Sequence, residues 1–327
     1  MCVEIGQIDR PNVAIAKTTS MTRVSGRWFS QLQHALSRRW AASIVLAFVL
    51  VAHAAVPAKA QTPDQIGGAG PAGEETAPLR RQLWRLPSAD PSTPAQAVLF
   101  RPAGPGPFRL AVVAHASIEN PIARARMPLM DYRALAATLV ARGFAVVVPQ
   151  RPGHGATGGS YLESQGGCAD ANYLRAGNAT ADSIAAALDF LRVQPFIRKD
   201  GALVIGHSAG GWGALALAAR NSKAVARIVV FSPGRGGHAD NVPGKVCAEE
   251  KLIATAAAFG RTARMPVIWL VARNDTYFSP ALSRRMADAF RSGGARVDFR
   301  VLGASGDEGH WLAEQEGGER VWGNLVD

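Results

Sequence analysis

A serine stands between two glycines at Gly206-x-Ser208-x-Gly210, inside the stretch ALVIGHSAGG that runs from Ala202 to Gly211; an aspartate at 275 and a histidine at 310 follow it. A serine hydroxyl is a weak nucleophile until a base removes its proton, and an imidazole does this best when a carboxylate holds it in the required tautomer. Serine, acid and histidine in that order could therefore carry out acyl transfer through a covalent intermediate. A short pattern of glycine and serine also arises by chance in a chain with 34 glycines. Its meaning rests on the segments around it.

Those segments alternate between strand and helix. AVLFR (97–101), RLAVVAH (109–115), FAVVVPQ (144–150), ALVIG (202–206), ARIVVFS (226–232), MPVIWLVAR (265–273) and RVDFRVLG (296–303) read as strands. Several are apolar throughout rather than alternating, which is the signature of burial on both faces. Tyr132, Leu135 and Leu139 share one helical face, as do Ile184, Leu188 and Leu191; a further helix opens at Ser279-Pro280 and carries Leu282, Met286 and Phe290. Alternation of this kind predicts a mostly parallel sheet between two layers of helices, a three-layer α/β/α sandwich. ALVIG is then a buried strand, and the glycines at 206 and 210 allow a tight turn into the alanine-rich helix behind Ser208. The serine is lifted to the carboxyl end of the sheet as a nucleophile elbow.

Asp275 follows the strand VIWLVAR directly, and His310 lies in the glycine-bearing loop VLGASGDEGHW after the last strand. Both stand where an orienting acid and a base are expected on such a sheet. His207 sits beside the serine but on the strand side of the elbow, while His154 and His238 precede the acid in sequence; Asp307 and Glu308 are close enough to His310 to tune it. An oxyanion needs backbone N–H donors. One is expected at Ala209, and the second at Ala116 or Ser117, after LAVVAH.

The segments VVAHAS, RGFAVVVPQRPGHGATGG, GHSAGG, ARNDTYFSP and GDEGHW, in this order, resemble the α/β-hydrolase superfamily, particularly its dienelactone-hydrolase-like branch. The resemblance covers roughly residues 95 to 327. It implies an eight-stranded sheet, a catalytic triad of Ser208, Asp275 and His310, and an oxyanion hole from Ser117 and Ala209. The chain departs from the pattern at Ala116, where a glycine is usual, and in using serine where dienelactone hydrolases generally use cysteine. The second departure favours a general esterase over the namesake reaction. Only about thirty residues (233–264) fill the interval in which many members insert a cap, so the lid is expected to be small or absent. The loops 155–178 and 233–247 are expected to rim the site, with Tyr161, Tyr173 and Trp212 as candidate pocket residues.

The N-terminus reads differently. Arg38-Arg39 precedes the apolar run from Trp40 to Val56, and Ala58-Lys59-Ala60 offers small residues for cleavage. This is the pattern of a secretory signal peptide. The run is shorter than the roughly 20 residues that span a bilayer. Residues 1–60 are thus expected to be removed after Ala60, with translation starting at Met1 or Met21 and residues 61–78 forming a flexible leader. Residues 79–327 form a single domain, placed in the periplasm or outside a bacterial cell, with no lasting membrane association. The N-terminal segment carries five of the eleven excess positive charges, leaving +6. That balance, without a block of like charge, gives no sign of a nucleic-acid partner.

Removal of Cys2 leaves Cys168 and Cys247, which in an oxidising compartment are expected to pair. No metal-ligand spacing of Cys or His occurs, and the chemistry outlined needs neither metal nor organic cofactor. The expectation is an exported, carboxylesterase-like serine hydrolase acting on a small-molecule ester. A serine peptidase or amidase of the same fold is the alternative, and a non-catalytic binding module that kept the fold is the third reading.

Overall fold

The computed structural model describes residues 68–326. The expected signal segment lies outside the described residues. All seven anticipated strands are present: β3 (Ala95–Phe100), β4 (Arg109–Ala114), β5 (Phe144–Pro149), β6 (Ala202–His207), β7 (Val225–Phe231), β8 (Val267–Ala272) and β9 (Val297–Leu302). Two more precede them, β1 (Gly70–Pro71) and β2 (Gln82–Leu86), so the sheet has nine strands rather than eight. β1 pairs with Arg85 and Trp84 of β2. The last part of the expected leader therefore joins the edge of the sheet.

The strand order is β1-β2-β3-β5-β4-β6-β7-β8-β9. β1, β2 and β3 pair antiparallel, as does β3 with β5, and every later pairing is parallel. The chain leaves β4 in one direction toward β5 and crosses back to β6 on the other side. Ligand sites form at the carboxyl ends of the two strands flanking such a switch point, here Ala114 and His207.

Alternate side chains of the central strands feed two cores. Leu110 and Val112 of β4, Val204 of β6 and Trp269 of β8 pack with helices α3 (Tyr173–Leu191), α4 (Ala209–Ala218), α5 (Glu249–Gly260) and α6 (Pro280–Ser292). Ala111, Val113, Ile205 and Phe231 face the opposite way, toward Leu135 and Leu139 of α2 (Arg133–Ala141) and Trp322. This is the anticipated three-layer sandwich. The interval between β7 and β8 holds a loop, residues 232–248, and α5, whose Leu252, Ala256 and Phe259 are part of the core. α5 is a layer helix, not a cap.

One helix starts earlier than its sequence periodicity suggests. α3 opens at Tyr173 instead of near Ser183, because the Asn172 side chain accepts the Arg175 N–H at 2.9 Å and caps it. Tyr173, Ala176, Gly177 and Thr180 then continue the buried face. α3 and α4 approach closely at small residues: a Cβ at Gly213 would come within 2.2 Å of Thr180 Cγ2.

Candidate active site

The elbow explains its own glycines. Ser208 has φ 54° and ψ −117°, a conformation that costs a non-glycine residue roughly 1–3 kcal/mol and persists only where the surroundings impose it. A Cβ on Gly210 would lie 2.0 Å from the Ala114 carbonyl oxygen, and one on Gly206 2.5 Å from Gly211 Cα. Neither position has room for a side chain. The Ser208 N–H donates to Phe231 O at 2.9 Å, and Ser208 O accepts from Trp212 N at 2.9 Å. Ala209 opens α4, so its N–H belongs to the first helical turn, which has no partner within the helix.

Asp275 and His310 come together from loops behind β8 and β9. Oδ2 of Asp275 lies 3.2 Å from Nδ1 of His310, with both side chains almost completely buried. The other oxygen of Asp275 accepts the N–H groups of Tyr277 at 2.8 Å and Phe278 at 2.9 Å. Burial pushes the Asp275 carboxyl up, but the hydrogen bond and charge of His310, with donors from Ser232 and Phe278, outweigh it and hold it below the ordinary value. Burial drives the His310 imidazole below its usual value, against the opposing pull of Asp275. A carboxylate accepts, so the proton sits on Nδ1 and Nε2 is left with a free lone pair.

Glu308 braces this arrangement. Its carboxylate accepts the N–H of His310 at 2.9 Å and of Thr276 at 3.1 Å, and the Thr276 hydroxyl as well. Tyr277 is stacked between His238 and His310, with ring centroids 3.5 and 4.3 Å away.

Ser208, Ala209, Ser117 and His310 all line one cavity of about 260 Å³, together with Tyr277 and residues 234–238 of the loop after β7. Of the two candidate amides after β4, that of Ala116 donates to the Tyr132 hydroxyl at 3.1 Å. The Ser117 hydroxyl lies 2.8 Å from His154 Nε2. His154 Nδ1 faces the carbonyl oxygens of Arg151 and Pro152, both at 3.2 Å, so Nδ1 carries the proton and Nε2 accepts from Ser117. Burial pushes the His154 imidazole down to about 4, which keeps it neutral. The Ser117 hydroxyl therefore donates to His154, while the Ala116 amide is already engaged by Tyr132.

None of the three aromatic candidates is among the residues that line the cavity. Tyr161 stands next to Ser117, with its Oη 3.3 Å from Ser117 Oγ and 3.0 Å from Arg235 Nη1. Trp212 is placed in the core instead of at the cavity. It is fully buried between Tyr173 and Phe259, and its Nε1 donates to Tyr173 O at 2.9 Å. Its position in α4 turns it toward Tyr173 of α3 and Phe259 of α5. Tyr173 is likewise buried, its hydroxyl bonded to Cys247 O.

A disulfide joins Cys168 to Cys247 and ties the loop before α3 to the end of the cavity-lining loop. It closes a loop of 79 residues, which the chain-entropy view values at up to about 4–5 kcal/mol. Reductant is expected to lower the melting temperature by several degrees and expose two titratable thiols. An unchanged melt with both thiols titrating would contradict a stabilising role. Among the described residues no group of His, Cys, Asp and Glu is arranged to hold a metal ion, and no helix is long and apolar enough to cross a membrane.

A family model described as the alpha/beta hydrolase fold matches residues 127–292, about half of the chain, and the chain belongs to that family. No curated protein matches it in sequence. Among solved structures, Est1E from Butyrivibrio proteoclasticus with bound ferulic acid is 15% identical, with TM-score 0.51, covering 74% of this chain and 95% of that one. DcsB in complex with its substrate analogue is 14% identical, with TM-score 0.53, covering 73% and 95%. Porphyromonas gingivalis dipeptidyl peptidase 4 is 13% identical, with TM-score 0.51, covering 72% of this chain and 33% of that one. At these identities the likeness is one of fold.

Proposed function

We propose that this α/β-hydrolase-fold protein is an exported serine hydrolase that cleaves carboxylic esters. His310 Nε2 takes the proton of Ser208 as the hydroxyl oxygen attacks the ester carbonyl. Asp275 stabilises the imidazolium that forms, and the N–H groups of Ala209 and Ser117 receive the oxyanion. His310 then gives its proton to the leaving alcohol, leaving an acyl-enzyme on Ser208. Water, deprotonated by the same histidine, releases the acid and restores the serine.

The observation that carries this reading is the buried hydrogen bond between Asp275 and His310, at the cavity that Ser208 also lines. It fixes the tautomer that leaves Nε2 free, which a binding module would not need. The ester preference draws on the cavity's setting: no cap or further domain among the described residues overhangs it to select a peptide. Est1E, a neighbour in fold, was solved with ferulic acid. The disulfide and the N-terminal signal pattern support export.

A substrate panel on protein lacking residues 1–60 tests the ester assignment. Short p-nitrophenyl esters are expected to turn over at least about 100-fold faster than aminoacyl anilides, since the amide asks more of leaving-group protonation. Faster cleavage of the anilides would replace the esterase with a peptidase.

A further inference from the structure

His207 occupies the last position of β6, one residue before Ser208, and its ring is fully buried. Its Nε2 lies 2.7 Å from the backbone carbonyl oxygen of His310. A carbonyl only accepts, so this nitrogen carries a proton and donates it. On the other side of the ring, Nδ1 lies 2.9 Å from Glu314 Oε1 and 3.1 Å from the Tyr132 hydroxyl. That hydroxyl is also 3.1 Å from Glu314 Oε1 and accepts the Ala116 N–H. Burial pushes the Glu314 carboxyl up, but the hydrogen bond and charge of His207, with the Tyr132 hydroxyl, hold it below its ordinary value.

This buried ring, with the Tyr132 hydroxyl as its bridge to Ala116, thus connects three separate stretches of chain. The first carries Ser208, the second carries His310, and the third is the turn whose next residue is Ser117. The need for such a link is visible in the loops. His310 sits in a five-residue helical turn, Gly309–Ala313, behind the edge strand β9. Its bonds to Asp275 and Glu308 fix it to the β8 exit and to its own loop. Among the described residues, the hydrogen bonds that reach from this loop to β6 are those of His207. A buried hydrogen bond with no water to replace it resists displacement.

We propose that His207 is a positioning residue that sets the separation between Ser208 and His310, with Glu314 and Tyr132 holding its ring in place. The proposal rests on the reading of Ser208 and His310 as nucleophile and base. His207 touches neither substrate nor the reacting atoms; it acts through the backbone of His310. Losing its Nε2 donor lets the base drift from the hydroxyl. That reduces the rate of acyl transfer while leaving the binding surface of the cavity unchanged.

Two substitutions separate the hydrogen bond from the bulk of the ring. His207→Leu removes the donor, whereas His207→Gln can place an amide N–H where Nε2 stands. In His207→Leu, kcat on a p-nitrophenyl ester is expected to fall about 10- to 100-fold with KM unchanged, the usual effect of a small misplacement of reacting groups. His207→Gln restores most of it. A second readout needs no turnover. The downfield proton resonance of His310 Nδ1–H, shared with Asp275, is expected in the native protein and in His207→Gln and is broadened or lost in His207→Leu.

Circular dichroism establishes that each variant is folded. If His207→Leu does not fold, the less buried Glu314 takes its place: Glu314→Leu lowers kcat with KM unmoved, and Glu314→Gln does not. A folded leucine variant with native kcat and an intact downfield resonance would overturn the proposal. So would a glutamine variant as impaired as the leucine one, because the effect would then be one of volume. If the native protein neither cleaves esters nor reacts with a serine-directed probe, the functional reading fails on its own, while the resonance still decides whether His207 holds His310.

Discussion

Replacing Ser208 with alanine is expected to lower kcat for ester hydrolysis by roughly 10⁶-fold, the size of loss found when the nucleophile of a cooperating triad is removed. The fold should survive the change. Alanine keeps the Cβ, and the bonds that define the elbow, Ser208 N–H to Phe231 O and Trp212 N–H to Ser208 O, are backbone bonds. Residual catalysis would come from the N–H groups of Ala209 and Ser117 and from the fit of the cavity, which orient the ester toward water without a covalent step. A His310→Ala variant should fall about as far, since nucleophile and base act as a unit and their losses do not add. Steady-state kinetics on one p-nitrophenyl ester, with circular dichroism for folding, measures both. A loss below about tenfold for the serine variant would move the nucleophile elsewhere.

The second large effect concerns stability. Glu163 is buried with Arg151 and Arg235: its carboxylate bonds to Arg151 Nε at 2.8 Å, to Arg235 Nη2, and to the Thr180 hydroxyl at 2.5 Å. All three charged side chains are at most 3% exposed. The cluster is already short of acceptors, because Arg151 Nη2 and Arg235 Nε are buried without a hydrogen-bond partner among the described residues. Glu163→Gln would leave the two buried guanidinium groups without the carboxylate that both contact. The expected cost is about 3–5 kcal/mol, as for other buried pairs broken on one side.

The pH dependence follows from the same contacts. Burial pushes the Glu163 carboxyl up, but the two arginines outweigh it and hold it well below its ordinary value. A carboxyl depressed in the folded state stabilises fully above its unfolded value and loses that contribution as the pH falls through the folded one. Urea denaturation at pH 7 should therefore show the full difference between native and variant protein. At a pH low enough to protonate the folded carboxyl, the difference should shrink. A variant within about 1 kcal/mol of the native protein at pH 7 would contradict the account.

The arginine–glutamate cluster also marks where sequence stops being informative. The layered sheet could be read from runs such as FAVVVP and ALVIGH, because burial on both faces leaves an uninterrupted apolar signature in a single segment. The elbow could be read because Gly206 and Gly210 answer a local steric demand. Glu163, Arg151 and Arg235 carry no such local mark: they lie in separate loops, with two helices and two strands between Glu163 and Arg235, and meet only through the fold. His207 and Glu314 meet across 107 positions for the same reason.

Trp212 shows the opposite failure. Nearness to Ser208 in sequence points to the pocket, but Ser208 stands outside α4 with a non-helical backbone, whereas Trp212 lies within the helix and packs on Tyr173 and Phe259. The extra strand β1 is only two residues long, below the length at which a strand pattern can be recognised. Asp275 and His310 were candidates from their place after successive strands. Their contact, and the bond that engages the Ala116 amide with Tyr132, required coordinates.

The proposed activity rests on a single hydroxyl, made reactive by a histidine more than a hundred positions away. Stoichiometric reaction with a fluorophosphonate probe, followed by mass mapping of the modified peptide, tests it most directly. The account predicts one label per chain, on Ser208, abolished by Ser208→Ala and slowed strongly by His310→Ala. A folded native protein that takes up no label, or carries it on another residue, would contradict it.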